Sequence, residues 1–135
     1  MLKNILLSIN PKYTIEIING TKKFEFRKKL ASKKVRKIVI YETSPSKQII
    51  GEAQVIETIA MKPLELWNLS MTNAGISKKD FLDYFKKCDI AYAYVLGEVT
   101  KYENPVTLET IGLKQGPQSF IYLEKEQYEL VLENA

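Results

Sequence analysis

The fold depends on one stretch of the sequence, which reads Ile17-Ile18-Asn19-Gly20-Thr21-Lys22-Lys23-Phe24-Glu25-Phe26-Arg27. Its first residues continue an apolar pattern of helical period that begins at Pro11. Asn19-Gly20 ends this helix, because glycine adopts positive φ without strain. The period then changes to two, which places two phenylalanines on one face of a strand and three charged residues on the other. The segment therefore predicts a helix, a tight turn and a half-buried strand with a charged face.

The patterns on either side of this stretch predict an α+β domain. Strands are expected at 5–9, 23–27, 38–41, 49–59, 90–102 and 119–123. Helices are expected at 11–19, from Pro63, from Ser77 and at 124–133. Strands of this number and length can close into a small barrel. We predict one domain at 1–125 and a C-terminal helical extension at 126–135.

Three local expectations follow from the same patterns. The helix at 11–19 should turn Ile15, Ile17 and Ile18 inward. Gly51, inside a strand, should mark a bulge or a close backbone approach. Pro105 should confine or end the long strand that precedes it, because proline cannot donate to the sheet.

The residue types that are missing exclude several classes of chemistry. The chain has no histidine and one cysteine, so Ser-His-Asp and Cys-His catalysis are excluded, and we expect no metal and no cofactor. Cys88 follows an apolar helical pattern and is expected to be buried. The apolar run within residues 1–10 is too short for a signal-peptide core or a membrane span, which predicts a cytoplasmic protein that does not contact membranes.

The charge is distributed unevenly along the chain. Residues 1–50 hold 12 Lys/Arg and 3 Asp/Glu, a balance of +9, whereas residues 51–135 hold 8 and 13, a balance of −5. A polyanionic partner for one surface would explain this asymmetry, and so would a solvated basic hairpin. The second basic cluster, residues 28–37, leaves the same two interpretations open.

Four segments resemble the successive signatures of the ASCH domain family: Ser8–Tyr13, Ile17–Arg27, Tyr41–Pro45 and Gly116–Phe120. The most specific part is a Gly-x-Lys-x-x-Glu-x-Arg pattern formed by Gly20, Lys22, Glu25 and Arg27. The resemblance spans about residues 5–123. It implies a PUA-like barrel of five or six strands with a cleft beside the first helix and the glycine turn. It also implies nucleic-acid binding, with RNA as the expected partner and DNA as the alternative.

The residues expected at this cleft follow from the resemblance and from the basic turn. They are Lys12, Tyr13, Thr21, Lys22, Lys23, Glu25, Arg27, Ser44, Gln118 and Ser119. Lys22 suits a phosphate as a compact charge, and Arg27 can make a two-pronged contact with a phosphate or a base edge. Glu25 would repel phosphate, so we expect it either to orient a neighbouring cation or to accept from a base amine. An internal ion pair that only shapes the barrel rim is the structural alternative. Aromatic residues such as Tyr13, Tyr41 and Trp67 would either stack bases or belong to the core.

The resemblance also leaves an enzymatic alternative. Some ASCH proteins resemble amidohydrolases that remove an acyl group from a modified cytidine with a lysine, a nearby threonine and a distant glutamate. Lys22 matches that lysine, but Glu25 stands where the threonine is expected, and Thr21 is the substitute hydroxyl that the sequence offers. Ribonuclease activity would need only an acid–base pair, for which Lys22 and Glu25 are the candidates.

Overall fold

The computed structural model describes all 135 residues, with six β-strands and four α-helices. The strands are β1 (Lys3–Ile9), β2 (Phe24–Arg27), β3 (Val35–Glu42), β4 (Gln48–Met61), β5 (Ala91–Val106) and β6 (Phe120–Tyr122). The helices are α1 (Pro11–Ile18), α2 (Pro63–Ser70), α3 (Lys78–Phe85) and α4 (Lys125–Asn134). Short 3-10 turns occupy Met71–Asn73 and Leu108–Ile111. None of the helices is both long and apolar enough to cross a membrane.

All six strands belong to one sheet, in the order β2-β5-β4-β3-β1-β6. The pairing of β1 with β3 is parallel, and every other pairing is antiparallel. Because β2 and β6 pair on one side only, the sheet is a curled half-barrel flanked by four helices. This architecture confirms the predicted α+β, PUA-like fold.

The two longest strands, β4 and β5, approach closely at Gly51. An added Cβ at this position would lie 2.5 Å from the carbonyl oxygen of Thr100 on β5, so only glycine fits. The pairing of β4 with both neighbours shifts register beside Gly51. Such bulges increase local twist, and the predicted bulge and close approach therefore occur together.

Side chains alternate along β1 between two apolar clusters, as the period of a strand requires. Ile5, Leu7 and Ile9 pack with Ile17 of α1 in one cluster. Leu6 belongs to a second cluster, which also contains the fully buried Val131 of α4. A third cluster joins helices α2 and α3, which lie between β4 and β5 in the chain, to strands β2 and β5. Within it, the rings of Phe26 and Phe81 meet edge to face with centroids 4.9 Å apart, which fixes α3 above β2.

Three local expectations need correction. Ile15 is 59% exposed, because the eight-residue α1 buries a narrow stripe through Thr14 and Ile17 instead of the predicted broad face. Cys88 is half-buried and does not join the fully buried core. Strand β5 continues one residue beyond the proline expected to end it, and Pro105 lies in its exposed terminal part.

A buried carboxylate ties the C-terminal helix to the sheet. Glu52 of β4 is 7% exposed and accepts hydrogen bonds from Lys37 (2.6 Å), Tyr102 (2.8 Å) and Tyr128 of α4 (3.0 Å). Burial alone would raise the pKa of Glu52, but these three donors together hold the pKa below its ordinary value. The ionised carboxylate is therefore the form that stabilises the fold.

We expect Glu52→Gln to lower the free energy of unfolding by about 2 kcal/mol at neutral pH, the loss of charge-assisted hydrogen bonds. A lowered pKa gives stability that is present above the unfolded-state pKa and is lost as pH falls through the folded-state pKa. Urea unfolding at neutral and acidic pH should therefore show a smaller acid-induced loss in Glu52→Gln than in the wild type. Glu57→Gln, which changes an exposed carboxylate on the same strand, is the control and should match the wild type. Equal acid sensitivity in Glu52→Gln and the wild type would contradict the assigned role.

Candidate functional site

A cavity of about 520 Å³ opens where the end of β1, the start of α1, β2 and α3 meet. We call it the main cavity. Its lining comes from segments that are distant in sequence but adjacent in the fold. The residues are Ser8, Ile9, Asn10, Tyr13, Lys22, Glu25, Phe26, Arg27, Ile76, Asp80, Asp83 and Tyr84.

The Lys22 side chain is buried in the wall of the main cavity. It is 4% exposed, and its Nζ donates to the carbonyl oxygen of Ala74 at 2.9 Å. The same Nζ lies 4.5 Å from the ring centroid of Phe26 and 5.3 Å from that of Tyr13. Burial lowers the pKa of Lys22 to about 8, although the nearby Glu25 carboxylate opposes this shift. Near neutral pH the lysine is therefore mostly charged, with a minor neutral fraction that grows as the pH approaches 8.

Two glycines permit this burial. Gly20 turns the chain at φ +82°, and the amides of Thr21 and Lys22 then both donate to the carbonyl oxygen of Glu16. Gly75, at φ +65°, lies against the Lys22 stem, where an added Cβ would overlap Lys22 Cβ and come within 2.7 Å of Cγ. The turn on one side and the 74–75 backbone on the other therefore hold the lysine in place.

Glu25 and Arg27 form a fixed pair on the neighbouring wall. Glu25 is 5% exposed. Its Oε2 accepts a hydrogen bond from Arg27 Nε at 3.0 Å, and Arg27 Nη2 lies 2.8 Å from the same oxygen in an ion pair. Arg27 Nη2 also donates to the carbonyl oxygen of Ser8 at 2.8 Å, so the guanidinium bridges β2 and β1. Of the two roles considered for Glu25, orienting a cation is the one that this contact provides.

Carboxylates balance the cations inside the main cavity. Asp80, Asp83 and Tyr84 lie at spacings of three and four, which places them on one face of α3 toward the cavity. Lys12 pairs with Asp80 at the rim (3.2 Å), and a hydrogen bond from Lys12 holds the pKa of Asp80 below its usual range. The cavity is therefore of mixed charge, and a ligand there meets both acceptors and donors.

A second cavity of about 710 Å³ adjoins the main cavity at Ser8. The hydroxyl of Ser8 donates to the carbonyl oxygen of Pro117 at 2.6 Å, on the wall between the two. Lys47, held at φ +52°, and Lys114 supply its cations. The rest of the lining is Tyr41, Thr43, Ser44, Leu108, Glu109, Leu113, Gln115, Gly116 and Pro117.

Four of the ten predicted binding residues come together in the main cavity: Tyr13, Lys22, Glu25 and Arg27. Lys12 lies at the rim of the main cavity, where it forms an ion pair with Asp80. Ser44 lines the second cavity. The others lie outside both cavities. Thr21 donates its hydroxyl to the carbonyl oxygen and carboxylate of Glu16, the Lys23 side chain is exposed, and Gln118 and Ser119 are exposed beside β6.

Sequence reasoning missed the α3 wall and the second cavity. Asp80 stands in the Ser77 capping motif, and its amide does donate to Ser77 Oγ at 3.1 Å. The side chain of Asp80 contacts Lys12, which is distant in the sequence. The helical spacing of Asp80, Asp83 and Tyr84 was the available signal. No group of three or more Cys, Asp or Glu side chains is arranged to hold a metal ion.

Comparison with known proteins assigns the family. Residues 6–127 match the family described as a domain of unknown function, DUF365. A crystal structure of ASCH from Zymomonas mobilis superposes with a TM-score of 0.89 and 27% identity, covering 97% of this chain and 94% of that one. The chain belongs to the DUF365 family and is an ASCH domain. The resemblance seen in the sequence motifs is thereby confirmed.

The relatives that this chain matches differ widely in length. A Zymomonas mobilis protein named ASCH domain-containing ribonuclease is 28% identical over 130 residues, which cover 93% of this chain and 87% of the relative. Two Ureaplasma parvum relatives carry the names ATP synthase subunit alpha and large ribosomal subunit protein uL22, with identities of 28% and 30%. The chain spans only 15% and 40% of their respective lengths.

The contact of Gly75 with Lys22 predicts an unequal response to two similar substitutions. Gly75→Ala and Gly112→Ala both place alanine at positive φ, which costs about 1 kcal/mol of stability. An added Cβ at Gly112 meets nothing within 4 Å, whereas one at Gly75 displaces the Lys22 stem. We expect Gly75→Ala alone to be destabilised further and to raise the pKa of Lys22 toward 10.5, its value in solvent. Chemical unfolding and an NMR titration of Lys22 measure these effects, and equal behaviour of the two variants would refute the contact's importance.

Proposed function

We propose that this ASCH domain binds single-stranded RNA and seats one nucleotide in the main cavity. The observation that carries the proposal is the convergence of Lys22, Glu25 and Arg27 on one cavity whose volume of about 520 Å³ suits a small ligand. The Zymomonas relative named a ribonuclease supports RNA as the polymer. Unpaired bases are the part of RNA that proteins read most readily, because duplex RNA hides its base edges in a deep, narrow groove.

Each wall of the main cavity has a role in this proposal. The rings of Tyr13 and Tyr84 provide apolar faces on which a base can stack. The Arg27 contact uses Oε2 of Glu25, which leaves Oε1 to accept from an amine of the base. Lys22 uses one of its three N–H donors for the hydrogen bond to Ala74. The other two can donate to a phosphate or to a base carbonyl.

The second cavity extends the proposed path of the strand. Lys47 and Lys114 would meet the phosphate of the adjacent nucleotide, and Ser8 would lie between the two nucleotide positions. In this arrangement the neutral base lies in the main cavity, where the charge is mixed, and the negatively charged phosphate lies beside the lysines of the second cavity. DNA of the same sequence is the comparison that shows whether the ribose hydroxyl contributes.

We expect Lys22→Met, which keeps the stem and removes the charge, to weaken binding of a single-stranded RNA and to reduce the salt slope by about 0.7. Because the pKa of Lys22 is about 8, wild-type affinity should fall as pH rises through 8, and Lys22→Met should lack this decline. Fluorescence anisotropy at several salt concentrations and pH values measures both effects. Lys101→Met, at an exposed position that lines neither cavity, should bind as the wild type does. Absence of RNA affinity in the wild type at low salt would end the proposal.

RNA hydrolysis is a second candidate function, favoured by the neutral fraction of Lys22. A neutral lysine beside a bound nucleotide can accept the proton of a ribose 2′-hydroxyl. The 2′-oxygen then attacks the adjacent phosphorus, the bond to the 5′-oxygen breaks, and the departing oxygen takes up a proton from water, while the protonated Lys22 returns its proton to solvent. A 2′,3′-cyclic phosphate remains. In this candidate Glu25 orients Arg27, whose charge offsets that of the phosphorane.

The geometry favours this reaction over acyl-cytidine hydrolysis. The threonine position of the amidohydrolase arrangement holds Glu25, which is committed to Arg27. The substitute hydroxyl of Thr21 donates to Glu16 and lies outside the main cavity. Neither residue therefore places an activated hydroxyl beside Lys22.

If the domain cleaves RNA, the cleavage rate of fully bound RNA should rise with pH toward a plateau above about 8, because the neutral lysine is the reactive form. Lys22→Met should abolish cleavage, and a substrate with deoxyribose at the cleaved position should resist it. Mass spectrometry of the products tests for the cyclic phosphate. Lys101→Met, purified in parallel, controls for contaminating nucleases. Equal cleavage in all preparations would indicate a contaminating nuclease. Hydrolysis would then be rejected as a function of this domain, and the binding proposal would be unaffected.

A further inference from the structure

The connection between β2 and β3, together with the first residues of β3, carries a concentration of unpaired charge. Residues 28–36 contain five cations and no acidic residue. All five are exposed, and none takes part in an ion pair within the chain. We call these residues the basic loop: Lys28, Lys29, Lys33, Lys34 and Arg36.

The backbone of the basic loop is fixed by two tyrosines. The amide of Ala31 donates to the hydroxyl of Tyr94 at 2.9 Å, and the amide of Lys33 donates to that of Tyr122 at 3.0 Å. The carbonyl oxygen of Lys34 accepts from the amide of Lys3 at 2.9 Å. These contacts fix the backbone at residues 31, 33 and 34, which lowers the entropic cost of binding a ligand along this segment. A loop that served solubility alone would not need such anchoring.

The basic loop is continuous with the main cavity. Lys28 directly follows Arg27, and its Nζ lies 4.9 Å from the ring centroid of Tyr84, which lines the cavity. Farther along, Lys33 Nζ lies 5.3 Å from the ring centroid of Tyr122. Cations interleaved with aromatic faces are the combination with which proteins follow a single strand.

We propose that the basic loop is a second RNA-contacting surface, which binds the sugar-phosphate backbone of the strand whose nucleotide occupies the main cavity. This inference rests on the proposed function and extends it. The main cavity selects a nucleotide, and the basic loop adds affinity that is independent of sequence and grows with strand length. An acidic protein or an anionic membrane would meet the same charges, but neither would use the continuity with a nucleotide-sized cavity.

The test compares two triple variants that remove equal charge. In Lys33→Gln/Lys34→Gln/Arg36→Gln the basic loop loses three cations. In Lys87→Gln/Lys101→Gln/Lys125→Gln three exposed lysines that line neither cavity are neutralised. All six side chains are exposed, so both variants should fold, which thermal unfolding verifies. Each is titrated with nucleoside monophosphates and with single-stranded RNA of about 12 nucleotides.

We expect wild-type protein to bind the oligonucleotide more tightly than any monophosphate. The basic-loop variant should lose at least tenfold in affinity for the oligonucleotide, with a salt slope lower by about 2, and should retain monophosphate binding. The control variant should keep most of both affinities. If the two triple variants lose equal oligonucleotide affinity, the effect is one of net charge and the inference is wrong.

The remaining outcomes separate this inference from the proposed function. Monophosphate binding without a gain from strand length would overturn the basic-loop surface and leave the cavity proposal standing. Oligonucleotide binding that depends on the basic loop but not on Lys22 would support the basic-loop surface and overturn the cavity proposal. Loss of all RNA binding, with loop-dependent binding to anionic vesicles or to an acidic polypeptide, would overturn both.

Discussion

The burial of the Lys22 ammonium is the constraint on which the site depends. Removing a cation from water costs several kcal/mol unless polar or aromatic groups replace the lost hydration. Here the carbonyl oxygen of Ala74 and the rings of Phe26 and Tyr13 replace it. The Gly20 turn, the close approach of Gly75 and the seating of α3 on Phe26 are all required to bring these groups together.

The remaining polar groups of the main cavity are also held by more than one element. Arg27 contacts Glu25 on its own strand and Ser8 on β1, so its guanidinium cannot turn away without breaking two hydrogen bonds and an ion pair. Ser8 in turn contacts the segment before β6 through Pro117. A preorganised arrangement of this kind lowers the entropic cost of ligand binding.

The local parts of the fold could be predicted from the sequence, because neighbouring residues determine them. Asn10-Pro11 starts α1, Gly20 makes the turn after it, and the alternation after Lys23 gives β2 with Glu25 beside Arg27. The α3 wall could not be assigned to the site, since nothing in a single sequence reports that Asp80 faces Lys12, 68 residues away. The second cavity was missed because its lining also comes from segments that are distant in the sequence, residues 41–47 and 108–117. Lys47 adopts a positive φ that residue type alone would assign to glycine or asparagine.

The link between Lys22 and Ala74 joins positions 52 residues apart. Contacts of such high sequence separation require a large loop to close before they yield any gain. An emerging polypeptide therefore has no binding site while only the helix, turn and strand at its beginning have been synthesised. The cavity exists once residues 74–84 have docked, so the proposed ligand recognition would require the completed fold. Occupancy of that cavity then stabilises the whole domain by mass action, because the unfolded chain offers the ligand nothing equivalent.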